Sequence, residues 1–284
     1  LSTLFLVATP IGNLEDISPR ALETLRGVAL IAAEDTRTAK QLLNHFDIHT
    51  PVTSFFEHSK RNKIAALLDA LAAGDVAVIS EAGMPGINDP GEALVRAAIE
   101  RGHRVSPIPG PSAVLAALVA SGISANAFLY VGFLPREPQA RRKFLRELAH
   151  ERDTIVAFET PRRLRAALAD MESILGATRQ ICAARELTKM FEEFQRGTVI
   201  QVREHFEKIE PRGEFTLVIA GAPNVERESF KVEWDDTRVN REFNKLVEKG
   251  MPRTEAVKRV ARASGRDRRG VYELVLRRKK SDER

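Results

Sequence analysis

The chain reads as an α/β protein made of two α/β domains followed by a small helical module, and three observations predict it. Short apolar runs alternate with amphipathic stretches about five times over the first 120 or so residues, the rhythm of a mainly parallel sheet with helices on both faces. Most of those runs end in loops rich in glycine and proline, which let a backbone bend sharply and present its own amides and carbonyls. The charge is also uneven. Residues 240–284 hold fifteen Lys or Arg against seven Asp or Glu, so a chain of net charge +5 leaves −3 on its first 239 residues.

Taken in order, residues 3–9 form an apolar first strand that ends at Pro10, Gly12 and Asn13, and Ser18 is placed to cap a helix over 19–26. A second strand, 28–33, runs into Glu34, Asp35 and Arg37, three ionisable groups within four positions. The pattern then predicts a helix over 38–46, a strand over 52–55 and an amphipathic helix over 59–73 that stops at Gly74. The strand at 75–80 delivers the loop SEAGMPGINDPG. There Asp89 is expected to cap the next helix, with Pro90 in its first turn. Residues 104–108 make the fifth strand, and Ser112 opens an apolar helix, VLAALVASG.

The rhythm changes beyond residue 120. Strands are expected at 128–134, 154–158, 180–184 and 215–220, with a further one over 191–197. Helices are expected at 139–150, 162–175 and 199–206. This divides the chain into an N-terminal α/β domain, 1–109, a second α/β domain, 110–222, a charged linker, 223–237, that carries the only tryptophan, Trp234, and a basic module, 238–284. The module reads as three short helices, with Ala256, Val257, Val260, Ala261, Val271, Leu274 and Val275 as its core. Such an outline is that of a helix-turn-helix unit. Arg262, Arg266, Arg268 and Arg269 crowd its turn, which suits contact with nucleic acid, although a solvated cationic tail has the same composition.

At 284 residues and 43% hydrophobic content the chain can bury a real core, and no apolar run approaches the ~20 residues of a membrane span. The start, LSTLFLVATPIGN, lacks the basic region of a secretion signal and reads as strand and loop. The single cysteine, Cys182, lies in an apolar run and excludes an internal disulfide, so a reducing cytoplasm is the expected location. There is no GxGxxG, GxxxxGK, HExxH or GxSxG pattern, and His45 and His49 lack a third ligand nearby, so no metal is expected.

Seven stretches recur in an order that carries a resemblance: VATPIGNLEDIS at 7–18, AAEDTRT at 32–38, SEAGMPGINDPG at 80–91, PIPGPSA at 107–113, GFLP at 132–135, FETPRR at 158–163 and ARELTK at 184–189. Together they are similar to the tetrapyrrole (corrin/porphyrin) methylase family, and within it to the group that methylates small-subunit ribosomal RNA. The resemblance spans about residues 4–220 and extends to the helical tail. Glu81, Met84 and Asn88 depart from it, since the family loop usually reads SDAGTP with a serine after the isoleucine.

The resemblance implies S-adenosylmethionine bound in a cleft between the two α/β domains and transfer of its methyl to the ribose 2'-hydroxyl of a cytidine in the decoding centre of 16S rRNA, by a homodimer. It implies a cofactor held by Pro10, Ser80, Glu81, Ala82, Gly83, Met84, Ile87, Ser112, Ala113, Phe158 and Ala184. For the proton of the hydroxyl, Glu34 and Asp35 with Arg37 are the first candidates, and Glu186 with Lys189 the second. Arg162 and Arg163 open a helix where they could meet phosphate. Two rivals stay open: a small-molecule methylase acting on a tetrapyrrole, and a non-catalytic RNA-binding protein of ribosome assembly.

Overall fold

A computed structural model describes residues 2–55, 61–87, 91–222 and 234–277. Five strands, β1 (Thr3–Val7), β2 (Leu30–Ala33), β3 (Val52–Ser54), β4 (Val76–Ile79) and β5 (Arg104–Ile108), form the first sheet in the order β3-β2-β4-β1-β5. Every pairing in it is parallel. Both faces are covered, and the two-residue period of a strand sorts the side chains between them. Ile31, Ala33, Ala77 and Ile79 pack with Ala21, Leu25, Leu42 and Leu43 of α1 (Pro19–Gly27) and α2 (Thr36–His45). Ala32, Val76 and Val78 pack on the other side with Leu67, Leu71, Leu94 and Ala98 of α3 (Arg61–Ala73) and α4 (Glu92–Glu100).

Neighbouring strands β1 and β4 thus send their following helices to opposite faces. Such a reversal opens a crevice at the carboxyl ends of the two strands, where open α/β sheets bind their ligands. Here the crevice is bridged by backbone: the Thr9 N–H donates to the Gly83 carbonyl at 2.9 Å, and the Gly83 N–H to the Thr9 carbonyl at 3.0 Å.

The second sheet holds β6 (Phe128–Phe133), β7 (Thr154–Glu159), β8 (Gln180–Arg185), β9 (Glu193–Thr198) and β10 (Phe215–Ile219) in the order β6-β7-β10-β8-β9. Only β6 and β7 run parallel. One face packs Leu145, Leu164, Leu168, Val202 and Phe206 from α6 (Pro138–Leu148), α7 (Pro161–Leu175) and α8 (Val199–Lys208). The other receives Val114, Ala117 and Leu118 of α5 (Ala113–Ala120), together with Ile11 from the loop after β1. Both sheets belong to one compact unit that extends through residue 223.

The helical unit contains α9 (Asp236–Glu248), α10 (Arg253–Ser264) and α11 (Arg268–Arg277) around Val239, Phe243, Val257, Val260 and Val271. Gly265 takes the left-handed conformation that ends α10 (φ +68°). Among the described residues no helix is long and apolar enough to cross a membrane.

Several helix starts differ from the sequence reading, α9 at Asp236 rather than 238 among them, and two of these bear on the site. Helix α2 begins at Thr36 rather than 38, because the Asp35 carboxylate accepts the Arg37 N–H at 2.7 Å and caps it. Helix α4 begins at Glu92 with Gly91 in the cap position and no side-chain cap, whereas the sequence assigns the cap to Asp89 and the first turn to Pro90. Asp89 and Pro90, like Asn88, lie outside the described residues.

Candidate active-site cavity

The loop after β4 is fixed by its own polar atoms before any ligand is considered. The buried Ser80 donates its hydroxyl to the Gly83 carbonyl at 3.2 Å, and the Thr9 hydroxyl donates to the Ser80 carbonyl at 3.3 Å. Gly83 has φ +83°, a conformation that L side chains rarely adopt, so the turn needs glycine there. The loop after β1 is equally constrained. A Cβ on Gly12 would come within 2.5 Å of Lys189 Cγ and 2.9 Å of the Leu187 carbonyl oxygen, so only glycine lets this loop lie against residues 187–189. The Asn13 N–H completes the contact by donating to Thr188 Oγ1 at 3.1 Å.

Residues 186–189 are themselves strained. Glu186 and Thr188 have φ of +50° and +64°, and among the described residues only Asp47 is the third non-glycine in that region. An ionic knot holds them there: the Lys189 ammonium donates to Glu186 Oε1 at 3.0 Å and to Glu214 Oε2 at 2.8 Å, and the Glu214 N–H donates to Glu186 Oε1 at 3.0 Å. Burial works against charge at both Glu186 and Lys189. The hydrogen bonds outweigh it, leaving the carboxyl below its ordinary value and the ammonium above.

These loops, with the ends of β6 and β7 and the start of α5, enclose a cavity of about 400 Å³, a volume typical of small-molecule sites. Its wall includes Glu34, Glu81, Ala82, Gly83, Met84, Ile87, Ser112, Ala113 and Phe158, nine of the residues proposed from the sequence. Phe158 lies 5.5 Å from Phe133 and 5.4 Å from Tyr130, ring centre to ring centre, which gives the cavity an aromatic side. The wall also holds Glu34 and Glu81, while its other two acidic residues are charge-paired, Glu159 with Arg163 at 2.7 Å and Glu214 with Lys189 at 2.8 Å; no Lys, Arg or His is among its described residues. A pocket with that balance favours a cationic guest over an anionic one.

Other proposed residues stand behind the wall or away from it. Ser80 braces the loop, and Ala184 is buried in the core beside Ala113 and Phe158. Pro10 is not among the lining residues. Asp35 caps α2 and pairs with the exposed Arg37 at 2.6 Å; the Arg37 guanidinium and then its backbone N–H hold the Asp35 carboxyl at about 2. Glu34, one residue earlier, reaches the wall, and its Oε2 accepts the Glu81 N–H at 3.4 Å.

Arg162 is exposed at the start of α7. Arg163, which the sequence offers for phosphate contact, is turned inward instead: it pairs with Glu159 at 2.7 Å and donates to the Leu134 carbonyl at 3.0 Å, because the fully buried Glu159 side chain requires a countercharge. In the helical unit Arg266 donates to Asp236 Oδ1 at 2.6 Å, Arg269 pairs with Glu273 at 3.2 Å and Arg268 is exposed. The Arg262 side chain lies outside the described residues.

Several wall residues went unnamed in the sequence reading. Ile11, Phe133, Thr160, Pro161 and Leu187 fall inside the recurring stretches and could have been proposed from them. Gly213, Glu214, Phe215 and Thr216 fall in none.

Residues 3–202 match the family model of the Tetrapyrrole (Corrin/Porphyrin) Methylases. The chain is 45% identical over 277 residues to the ribosomal RNA small subunit methyltransferase I of Synechocystis sp., covering 97% of this chain and 98% of that one. It is 40% identical over 274 residues to the protein of the same name from Bacillus subtilis, covering 96% and 94%. Among solved structures it resembles the methyltransferase CobJ, with a TM-score of 0.59 at 16% identity over 78% of this chain and 95% of that one. Diphthine synthase gives 0.58 at 15% identity, over 77% and 90%. At such identities these two likenesses speak for the fold alone.

Proposed function

The chain belongs to the tetrapyrrole (corrin/porphyrin) methylase family, and from that premise we propose that it transfers a methyl group from S-adenosylmethionine to the ribose 2'-hydroxyl of a cytidine in the decoding centre of 16S rRNA. The substrate class follows the names of relatives that match the chain along nearly its whole length. The observation that carries the cofactor is the cavity itself. It combines an aromatic side, backbone-built loops and the Glu34 and Glu81 carboxylates with no cationic side chain among its described wall residues, and S-adenosylmethionine is a cationic nucleoside.

S-adenosylmethionine supplies a methyl already bonded to a positively charged leaving group, so the protein's work is alignment and removal of one proton. The Gly83 loop and the Ser112–Ala113 start of α5 would hold the cofactor, and Phe158 and Phe133 would give it an aromatic wall. Glu34 is the general base: it is the member of the Glu34, Asp35 and Arg37 group that reaches the wall, and the Glu81 N–H orients its carboxylate. Asp35 and Arg37 act through it by fixing the first turn of α2. Their mutual pairing makes Asp35 too weakly basic for the proton itself. Glu186, Lys189 and Glu214 keep the strained 186–189 segment closed on Gly12.

RNA is held by the cationic helical unit, with the exposed Arg268 and Arg269 as the group from which its phosphate contacts are drawn, and by the exposed Arg162. The protein works in the cytoplasm as a homodimer. The second copy is supported by α5, which is apolar on every side and leaves Leu115 and Val119 51% and 75% exposed.

Methyl transfer from labelled S-adenosylmethionine to 16S rRNA or small subunits, followed by mass spectrometry of the nucleosides, tests the reading. Glu34→Gln is expected to lower the transfer rate about 10²- to 10⁴-fold while calorimetry shows cofactor affinity within a few-fold of the parent. Label appearing in a tetrapyrrole and not in RNA would overturn the substrate; no heat on adding S-adenosylmethionine would overturn the cofactor.

A further inference from the structure

The helical unit has a hollow of its own, about 440 Å³, lined by Thr254, Val257, Asp267, Arg268, Arg269 and Tyr272. The fold does not need the tyrosine ring there. Helix α11 spends Val271, Leu274 and Val275 on the core, while Tyr272 stays 50% exposed, an amphipathic ring standing beside two arginines.

Most other described arginines of the unit are already engaged. Arg266 holds Asp236 and the Trp234 carbonyl, Arg238 lies over the Trp234 ring at 4.8 Å, and Arg253 lies over Phe243 at 5.4 Å. Arg268 is exposed at the hollow, and Arg269 has only its exposed pair with Glu273 at 3.2 Å, an interaction that an incoming anion displaces at little cost. The acidic member of the hollow is also committed: Asp267 Oδ2 accepts the Gly270 N–H at 3.1 Å in the first turn of α11.

We propose that this hollow binds one unpaired nucleotide of the RNA, its base stacked on Tyr272 and its flanking phosphates on Arg268 and Arg269. The proposal rests on the RNA reading above and adds the strand state and the recognising side chain. In a duplex the base faces are hidden by stacking, so an exposed aromatic ring has nothing to meet; a splayed base has a free face for it. Arginine beside the ring then supplies the charge that stacking lacks.

Full-length protein titrated into a single-stranded oligoribonucleotide carrying 2-aminopurine, at several salt concentrations, tests this. Quenching of the probe on binding is expected, because stacking quenches it. Tyr272→Phe should retain both quenching and affinity, whereas Tyr272→Ala should weaken binding about 5- to 150-fold with the salt slope unchanged. Tyr272→Leu, which keeps the apolar bulk, should lose the quenching. Arg268→Gln should lower the slope of log affinity against log salt by about 0.7.

If Tyr272→Ala and Tyr272→Leu bind and quench like the parent while Arg268→Gln still lowers the slope, the stacking site is refuted and the RNA reading survives. A parent protein that binds no RNA at all refutes both. Displacement of the oligoribonucleotide by polyglutamate but not by an excess of unlabelled single-stranded RNA would assign the hollow to an acidic protein instead.

Discussion

Replacing Gly12 by alanine tests the contact on which the cavity depends. The added Cβ would lie 2.5 Å from Lys189 Cγ, 2.8 Å from Thr188 Oγ1 and 2.9 Å from the Leu187 carbonyl oxygen, and one of these is backbone. A free Lys189 stem would yield, but its ammonium is fastened to Glu186 and Glu214 at 3.0 and 2.8 Å. Thr188 and Glu186 already sit at positive φ, so the segment has little slack to retreat. Overpacking of this kind costs about 1–3 kcal/mol, which for a chain of this size lowers the melting temperature by roughly 2–12 °C.

Leu187, whose carbonyl oxygen meets the new Cβ, also lines the cavity, so the displacement is carried into its wall. S-adenosylmethionine affinity should therefore fall by about 5- to 150-fold. Gly27→Ala is the matched control. It lies at the end of α1 with nothing within 4 Å of the new Cβ, and should be neutral or stabilising by about 0.5–1 kcal/mol. Calorimetric unfolding and cofactor titration read both variants. Gly12→Ala melting within a degree of the parent and binding the cofactor within twofold would refute the convergence of these loops.

Three further variants or reagents probe separate parts of the unit. Burial lifts the Glu159 carboxyl above its ordinary value even with Arg163 beside it, so the folded protein keeps that proton longer than the unfolded chain. Stability then declines as pH rises from about 4.5, the unfolded value, through the higher folded one. Glu159→Gln should flatten that decline in urea titrations across pH, and an unchanged slope would count against it. Cys182 is fully buried and burial raises its thiol pKa, so it should ignore aromatic disulfide reagents until guanidinium unfolds the chain; rapid native labelling would contradict the β8 core. Glu81→Asp, which restores the residue usual in the family loop, should leave cofactor affinity within about threefold, because the contact Glu81 makes to Glu34 comes from its backbone N–H; a tenfold change would show that the side chain matters.

Much of the fold was legible because it is written locally. Ser18 and Ser112 each accept a backbone N–H from the first turn of the helix they were expected to cap, and the strand at 104–108 has the limits its apolar pattern gives. Strand direction in the second sheet was not read, although a clue was present. The seven residues between Arg185 and Glu193 are too few for the crossover that a parallel pair requires, so β8 and β9 had to be antiparallel.

The site was legible where one strand end makes one loop, as at 80–87. It was obscure where partners come from distant parts of the chain. Gly213 and Glu214 join the wall because β10 lies between β7 and β8, an adjacency with no local signature. Arg163 looked available for phosphate because an arginine at a helix start has that option; only the burial of Glu159 four residues earlier removes it.

The two units also divide the chemistry by sign of charge. Under the proposed reaction, a wall that holds the Glu34 and Glu81 carboxylates and no cationic side chain among its described residues would admit an uncharged ribose edge rather than a phosphate. Affinity for the RNA backbone must then come from cationic surface elsewhere, and residues 240–284 hold the chain's surplus of it. A wall that attracts the donor and a surface that attracts the acceptor's phosphates cannot be the same surface. The sharp change of charge near residue 240, visible in the sequence before any fold was known, is what the proposed methyl transfer between a cation and a polyanion would require.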